Sequence, residues 1–329
     1  MNMKHSVFNF FLFSILTISL YSCDSTNNQD NVKIFRLDEY LGKYMTMNHS
    51  EREINDSLMS SGIEALTYML NFGHPDDSAF IKYANSKAVI MFTPDVHKQF
   101  PNLNEEEAAL SAIKKNLRNE LPDIKLYNIF SIVSPYNQSI FIADTTMLLA
   151  LNHYLGPEHD AYSNFYDYQK LTKDSKFIIY DITEALIATS YPYIRNSEET
   201  ILNKMLYEGA LIEAKMRLIP NASLALALGY SNEQLEWLED NNQQAWDTFI
   251  SQGLLYSKSL MDFERIFNPS PSTSIIHTES PGRIGRFFGY KIIKSYIKNN
   301  KFCNLKQLLS PEFYNSQQSF ISANYQANN

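Results

Sequence analysis

The chain has 329 residues, 44 % of them hydrophobic, 13 % aromatic and 19 % charged, with a formal net charge of −8. That balance excludes a mainly disordered chain, because enough apolar surface is available to offset the conformational entropy lost on folding. It also excludes a nucleic-acid binder, which needs clustered Lys and Arg to displace counterions from phosphates.

Residues 1–22 have the pattern of an export signal: a basic start at Lys4, an apolar run over 7–20, then Leu20-Tyr21-Ser22-Cys23. The run is too short for the about 20 apolar residues of a spanning helix and fits a signal peptide. Its ending resembles a bacterial lipobox, which implies that Cys23 is acylated and becomes the first residue of the mature chain. Each buried acyl methylene then adds about 0.8 kcal/mol of membrane anchoring. Residues 23–31 form a lipidated polar tether (24–31, DSTNNQDN), whose eight extended residues after Cys23 span at most about 28 Å. With Cys23 acylated, Cys303 is the only thiol left and no intramolecular disulfide is possible.

Residues 32–314 are expected to form a single α+β domain and 315–329 a flexible polar tail. A first strand is placed over 32–40. The stretch 50–72 has helical spacing through Ile54, Leu58, Ile63, Leu66 and Leu70. A short apolar run over 88–92 is closed by Thr93-Pro94. A helix starts at Asn104, with Glu105, Glu106 and Glu107 placed favourably against its dipole, and ends at Leu121-Pro122. Three β-like segments follow, over 124–133, 139–143 and 147–151. The turn Ser134-Pro135-Tyr136-Asn137 joins the first two, so antiparallel neighbours are expected.

Beyond His153 the chain reads as helix. Ser197 caps one that runs to Leu218 and stops before Pro220. Ser231-Asn232-Glu233-Gln234 is a capping box opening a helix over 233–251. Ser280-Pro281 opens another that runs to about residue 299. The expected architecture is a small, mainly antiparallel sheet followed by a larger helical part packed beside it.

The ten glycines form neither a dinucleotide fingerprint nor a phosphate-binding loop, so no nucleotide cofactor is expected. Gly282, Gly285 and Gly289 share one helix face, the pattern of close helix packing. The adjacent Arg283 and Arg286 could reach a carboxylate on a partner helix or an anionic ligand near the helix start. No two histidines share an i, i+4 spacing. His153 and His159 flank Gly156-Pro157 and, with Glu158 and Asp160, form either a weak metal site or a solvated turn. No G-x-S-x-G nucleophile elbow occurs.

The segment 203–215, NKMLYEGALIEAK, places Glu208 on an apolar stripe with Ile201, Met205 and Ile212. A carboxylate there needs a partner or a raised pKa. Lys204, Arg283 and Arg286 are the candidate partners. Glu208 is therefore either one half of a structural ion pair or a catalytic carboxylate.

Several runs together resemble the GldB-like gliding-motility lipoproteins: Tyr154-Leu155-Gly156-Pro157-Glu158-His159, Met205-Leu206-Tyr207-Glu208-Gly209, Leu218-Ile219-Pro220 and Gly229-Tyr230-Ser231 leading to Trp237 and Trp246. Leu254-Leu255-Tyr256, Ser280-Pro281-Gly282-Arg283-Ile284-Gly285 and Gly289-Tyr290 complete the pattern. The resemblance implies a lipid-anchored protein of the bacterial cell envelope, on the periplasmic face or the cell surface, whose relatives support gliding and the associated protein secretion. The family is similar to zincin-like metallopeptidases, in which H-E-x-x-H supplies two zinc ligands and a general base. The pentad aligned with it here is Tyr207-Glu208-Gly209-Ala210-Leu211, so both ligands are missing.

The resemblance therefore implies a zincin-like scaffold without metal or other cofactor. Its expected partners are the membrane, through Cys23, and envelope proteins of a motility or secretion complex. One alternative is a hydrolase of peptide or peptidoglycan that uses Glu208 as base, with His153 or His159 as ligands. A second is a glycan-binding module recognisable by an exposed aromatic groove.

Overall fold

The computed structural model describes residues 31–44, 47–71 and 77–327. The signal, Cys23 and tether residues 23–30 lie outside the described residues. The described chain is an α+β fold built on a four-stranded sheet.

Strand β1 (Ile34–Arg36) takes only three of the residues expected to be extended, because helix α1 (Leu37–Lys43) begins at once. Arg36 sets this corner by bonding the Asp38 carboxylate and the Phe100 carbonyl, both at 2.8 Å. Helix α2 (His49–Met69) starts with a capping box between Asn48 and Glu51. After α3 (Asp77–Ala84), helix α4 (Lys87–Gln99) runs straight through Pro94, the expected stop. Proline deprives the carbonyl four residues earlier of its partner, and that residue, Ile90, is exposed where water can bond it. Helix α5 (Asn104–Glu120) buries Leu110, Ile113 and Leu117. Its Glu107 accepts from the Ile34 amide at 3.0 Å and from Lys33 Nζ at 2.6 Å, fastening β1 alongside.

Strands β2 (Asn128–Ile132), β3 (Ile140–Ala143) and β4 (Thr146–Ala150) complete the sheet in the order β1-β2-β4-β3. Pairings β1/β2 and β2/β4 are parallel; only β3/β4 is antiparallel. The expectation of a mainly antiparallel sheet, with β2 and β3 as neighbours, is thus corrected to a mixed sheet. The turn after β2 carries the chain to the far edge, and the tight β3–β4 turn, with Asp144 at φ 49°, inserts β4 beside β2. All of β4 is buried, as the apolar run Met147-Leu148-Leu149-Ala150 in a central strand requires. Ile129, Met147 and Leu149 face the main core, whereas Phe130, Ile132, Leu148 and Ala150 face α1 and α2.

The helical part holds α6 (Asp167–Lys170), α7 (Ile178–Ser190), α8 (Ile201–Leu218) and α9 (Leu224–Leu228). Thr200, not Ser197, caps α8, in a capping box with Asn203. Ser231 and Gln234 do form a capping box, but the helix they open breaks at Asn241 into α10 (Asn232–Asp240) and α11 (Asn242–Ser251). Helix α12 (Leu260–Phe267) precedes α13 (Ile284–Asn299). Ser280-Pro281 does not start α13: Thr273 bonds the Pro281 carbonyl and Tyr230 bonds the Gly282 carbonyl, holding 280–283 as a loop.

Short helices α14 (Leu305–Leu308) and α15 (Pro311–Tyr314) lead to α16 (Gln317–Ala323). The stretch expected to be a flexible tail thus contains a helix, and Ala323 and Ala327 are buried. Among the described residues no helix is long and apolar enough to cross a membrane.

Candidate functional site

Helices α7, α8 and α13 meet around a cluster of charges. Glu184 of α7 accepts hydrogen bonds from Lys215 Nζ of α8 at 2.5 Å and from Arg286 Nη2 of α13 at 2.7 Å. Lys215 and Arg286 side chains are only 2 % and 4 % exposed. Lys215 also donates to the Ala227 carbonyl. Arg286 Nε faces Glu208 Oε2 at 3.2 Å, so one guanidinium bridges carboxylates from two helices.

Burial alone pushes the Glu184 carboxyl up, but Arg286 and Lys215 outweigh it and hold the group well below the usual carboxylate range. Burial lowers Lys215 to about 8 against the pull of Glu184. Asp181, one turn before Glu184, is raised to about 6 by burial and by the Glu184 charge, although the Tyr154 hydroxyl donates to it at 2.9 Å.

The other proposed partners of Glu208 are engaged differently. Lys204 Nζ lies 4.8 Å above the Phe267 ring. Among the described residues Arg283 makes no ion pair, and its Nε is buried without a hydrogen-bond partner. Instead Arg283 lines a cavity of about 540 Å³ with Phe165, Tyr168, Lys173, Gly229 and Tyr230.

On the wall of this cavity Lys173 Nζ donates to His153 Nδ1 at 2.9 Å, and His153 Nε2 donates to the Tyr136 carbonyl at 2.9 Å. Burial, then the Lys173 charge, lowers His153 to about 4, so the imidazole is neutral with both nitrogens engaged. His159 has separate partners: Nε2 contacts Asp95 at 3.2 Å and Nδ1 accepts from the Ala161 amide at 3.2 Å. The weak metal pair His153 and His159 is therefore not assembled around a shared centre. Among the described residues no three His, Cys, Asp or Glu side chains form a group that could hold a metal ion.

The pentad around Glu208 is occupied by packing. The Tyr207 hydroxyl donates to the Tyr191 carbonyl at 2.9 Å, and its ring packs against Tyr193 and Tyr314. Leu211 is buried. Gly209 fits against the backbone of Gly289.

Asp181, Glu184, Lys215 and Lys173 are absent from the sequence-based candidates. A signal existed for the first three: two acids at i, i+3 in the apolar stretch IIYDITEALI, and a lysine within ALIEAKM.

The family model described as gliding motility protein GldB matches residues 22–327. No curated protein and no solved structure gives a significant match. With that match spanning nearly the whole sequence, the chain belongs to the GldB family of gliding-motility proteins.

Proposed function

We propose that this protein is a lipid-anchored, non-catalytic component of the bacterial envelope, acting through protein contacts in a gliding-motility or secretion-associated complex. The family supplies the association with gliding. The lipobox supplies the anchor: acylated Cys23 holds the folded part, through its short tether, close to the periplasmic or outer surface of a membrane.

The observation that carries the non-catalytic reading is the 3.2 Å approach of Arg286 to Glu208. A zincin-type base must present a lone pair to a metal-activated water. Glu208 instead takes part in an ionic bridge between α8 and α13, and the positions matching the two ligands hold Tyr207 and Leu211.

The test is complementation of a gliding host whose own copy is deleted. Glu208→Gln should retain gliding and secretion, because Arg286 keeps its hydrogen bond and ion pair with Glu184. Cys23→Ala should lose both and leave the membrane fraction. Loss of function in Glu208→Gln with normal folding and membrane localisation would overturn the non-catalytic reading and favour the hydrolase.

A further inference from the structure

We infer that the cavity over Arg283 is a binding site for a carboxylate-bearing saccharide. Arg283 is the first observation. It adopts φ 66°, the left-handed region that costs a side-chain-bearing residue about 1 kcal/mol or more. The loop around it is held in that form by the Tyr230 hydroxyl on the Gly282 carbonyl at 2.9 Å. Gly229 leaves room for the guanidinium: a Cβ there would lie 2.9 Å from Arg283 Nη1. The result is a strained, partly buried cation that has no ion pair among the described residues, with its Nε sealed from solvent and its guanidinium beside the cavity. A planar guanidinium in a cavity wall suits a carboxylate.

The charge balance points the same way. Among the described residues, Lys173 and Arg283 are the charged ones lining the cavity, and no carboxylate lines it. In the network beneath, four cations (Lys173, Lys215, Arg283, Arg286) stand against three carboxylates (Asp181, Glu184, Glu208). An anion is the complement that this site lacks.

The walls indicate a sugar. Phe165 stacks on Tyr162 with ring centres 5.8 Å apart, and Tyr166 stacks on Tyr168 at the same separation. Phe165 is 38 % and Tyr166 72 % exposed, so flat rings are offered to the solvent side, where the apolar face of a pyranose can lie. Gln169, Gln234, Asn268 and Ser270 supply amides and hydroxyls to the lining, the mixed donors and acceptors that ring hydroxyls need. A neighbouring cavity shares Tyr168, Leu171 and Gln234 and extends the groove past Tyr166; its one acid, Asp167, points to solvent and pairs with Lys170. The volume falls in the about 300–1,000 Å³ range of small-molecule sites. A peptide is less well served, since among the described residues none that lines either cavity belongs to a strand whose edge could pair with a main chain.

The test is calorimetric titration of the full chain in detergent with trigalacturonic acid, a disaccharide of N-acetylglucosamine and N-acetylmuramic acid, neutral galactotriose, inorganic phosphate and a tripeptide with a free carboxylate. At least one acidic saccharide should bind about tenfold or more tighter than galactotriose, and the tighter of the two identifies the source as a uronic-acid or a cell-wall glycan. Arg283→Gln should lose about tenfold or more in affinity for it. Tyr166→Ala, at an exposed ring, should keep the fold and lose about threefold or more. Equal affinity for galactotriose, no saccharide binding, tighter binding of phosphate or tripeptide, or an unchanged affinity in whichever variant stays folded would overturn the assignment. None of these outcomes depends on whether the protein takes part in gliding.

Discussion

Gly209 and Gly289 meet backbone to backbone where α8 crosses α13: a Cβ built on Gly209 would run into the Gly289 carbonyl, and one on Gly289 into the Met205 carbonyl. Helical glycine costs up to about 1 kcal/mol relative to alanine, and here the close approach of two buried helices compensates for it. Gly289→Ala and Gly209→Ala should each destabilise the protein by about 2–3 kcal/mol, because the clash is with backbone that no rotamer change can relieve. Gly42→Ala is the control: nothing lies within 4 Å of its Cβ position in α1, so it should be neutral or stabilise by up to about 1 kcal/mol. Urea unfolding of the three variants checks the contrast.

The Glu184 carboxylate holds two cations that are almost out of water. Glu184→Gln leaves Lys215 without a counter-charge and should cost about 3 kcal/mol. Glu208→Gln should cost only about 1 kcal/mol, since Arg286 keeps Glu184. Equal losses in denaturant midpoint would show that the network does not centre on Glu184.

Two shifted groups act in opposite directions with pH. Asp181, raised to about 6 from 3.8, keeps its proton in the folded chain where the unfolded chain has lost it. Its contribution is complete below about pH 4 and disappears as pH rises through 6. His153, lowered to about 4 from 6.5, stays neutral in the folded chain where the unfolded chain takes up a proton. Its contribution is complete above about pH 6.5 and is lost as pH falls towards 4. Asp181→Asn should therefore steepen the loss of stability on acidification from pH 6.5 to 4, and His153→Gln should flatten or reverse it. Thermal melts of both variants and the wild type across that window measure the difference.

Tyr325 packs edge-on against Trp246 with ring centres 5.0 Å apart, and its hydroxyl donates to Asn242 at 3.2 Å. Asn242 in turn donates to the Ala327 carbonyl at 2.7 Å, while Ser295 and Asn299 both donate to the Ala323 carbonyl. Tyr325→Ala should cost about 2 kcal/mol, and limited proteolysis of the wild type should not cut preferentially after residue 315. Rapid trimming at that point would instead fit a flexible tail.

Local signals were legible where the chain's own neighbours decide the outcome. The Ser231–Gln234 capping box and the acidic first turn of α5 follow from orphan amides and the helix dipole within a few residues. Pro94 misled because the cost of a proline depends on where the freed carbonyl points, and Ser280 because the partners of its loop, Tyr230 and Thr273, lie elsewhere in sequence.

The helix at Gln317–Ala323 has a similarly non-local cause. The few apolar residues of 315–329 look isolated until Trp246 and the polar side chains of α11 and α13 are brought to them.

By itself the sequence carries a lipobox-like N-terminal pattern and determined the α+β character, the family, and the presence of a carboxylate on an apolar face of α8. Tertiary structure alone decided the strand order, because parallel pairing of β2 with β4 depends on where a crossover carries the chain and not on local turn chemistry. It also decided which cation meets Glu208. Lys204, Arg283 and Arg286 are equivalent by charge, but the tight glycine crossing of α8 and α13 turns Arg286 to Glu208 and Glu184, sends Lys204 to Phe267 and leaves Arg283 facing the cavity.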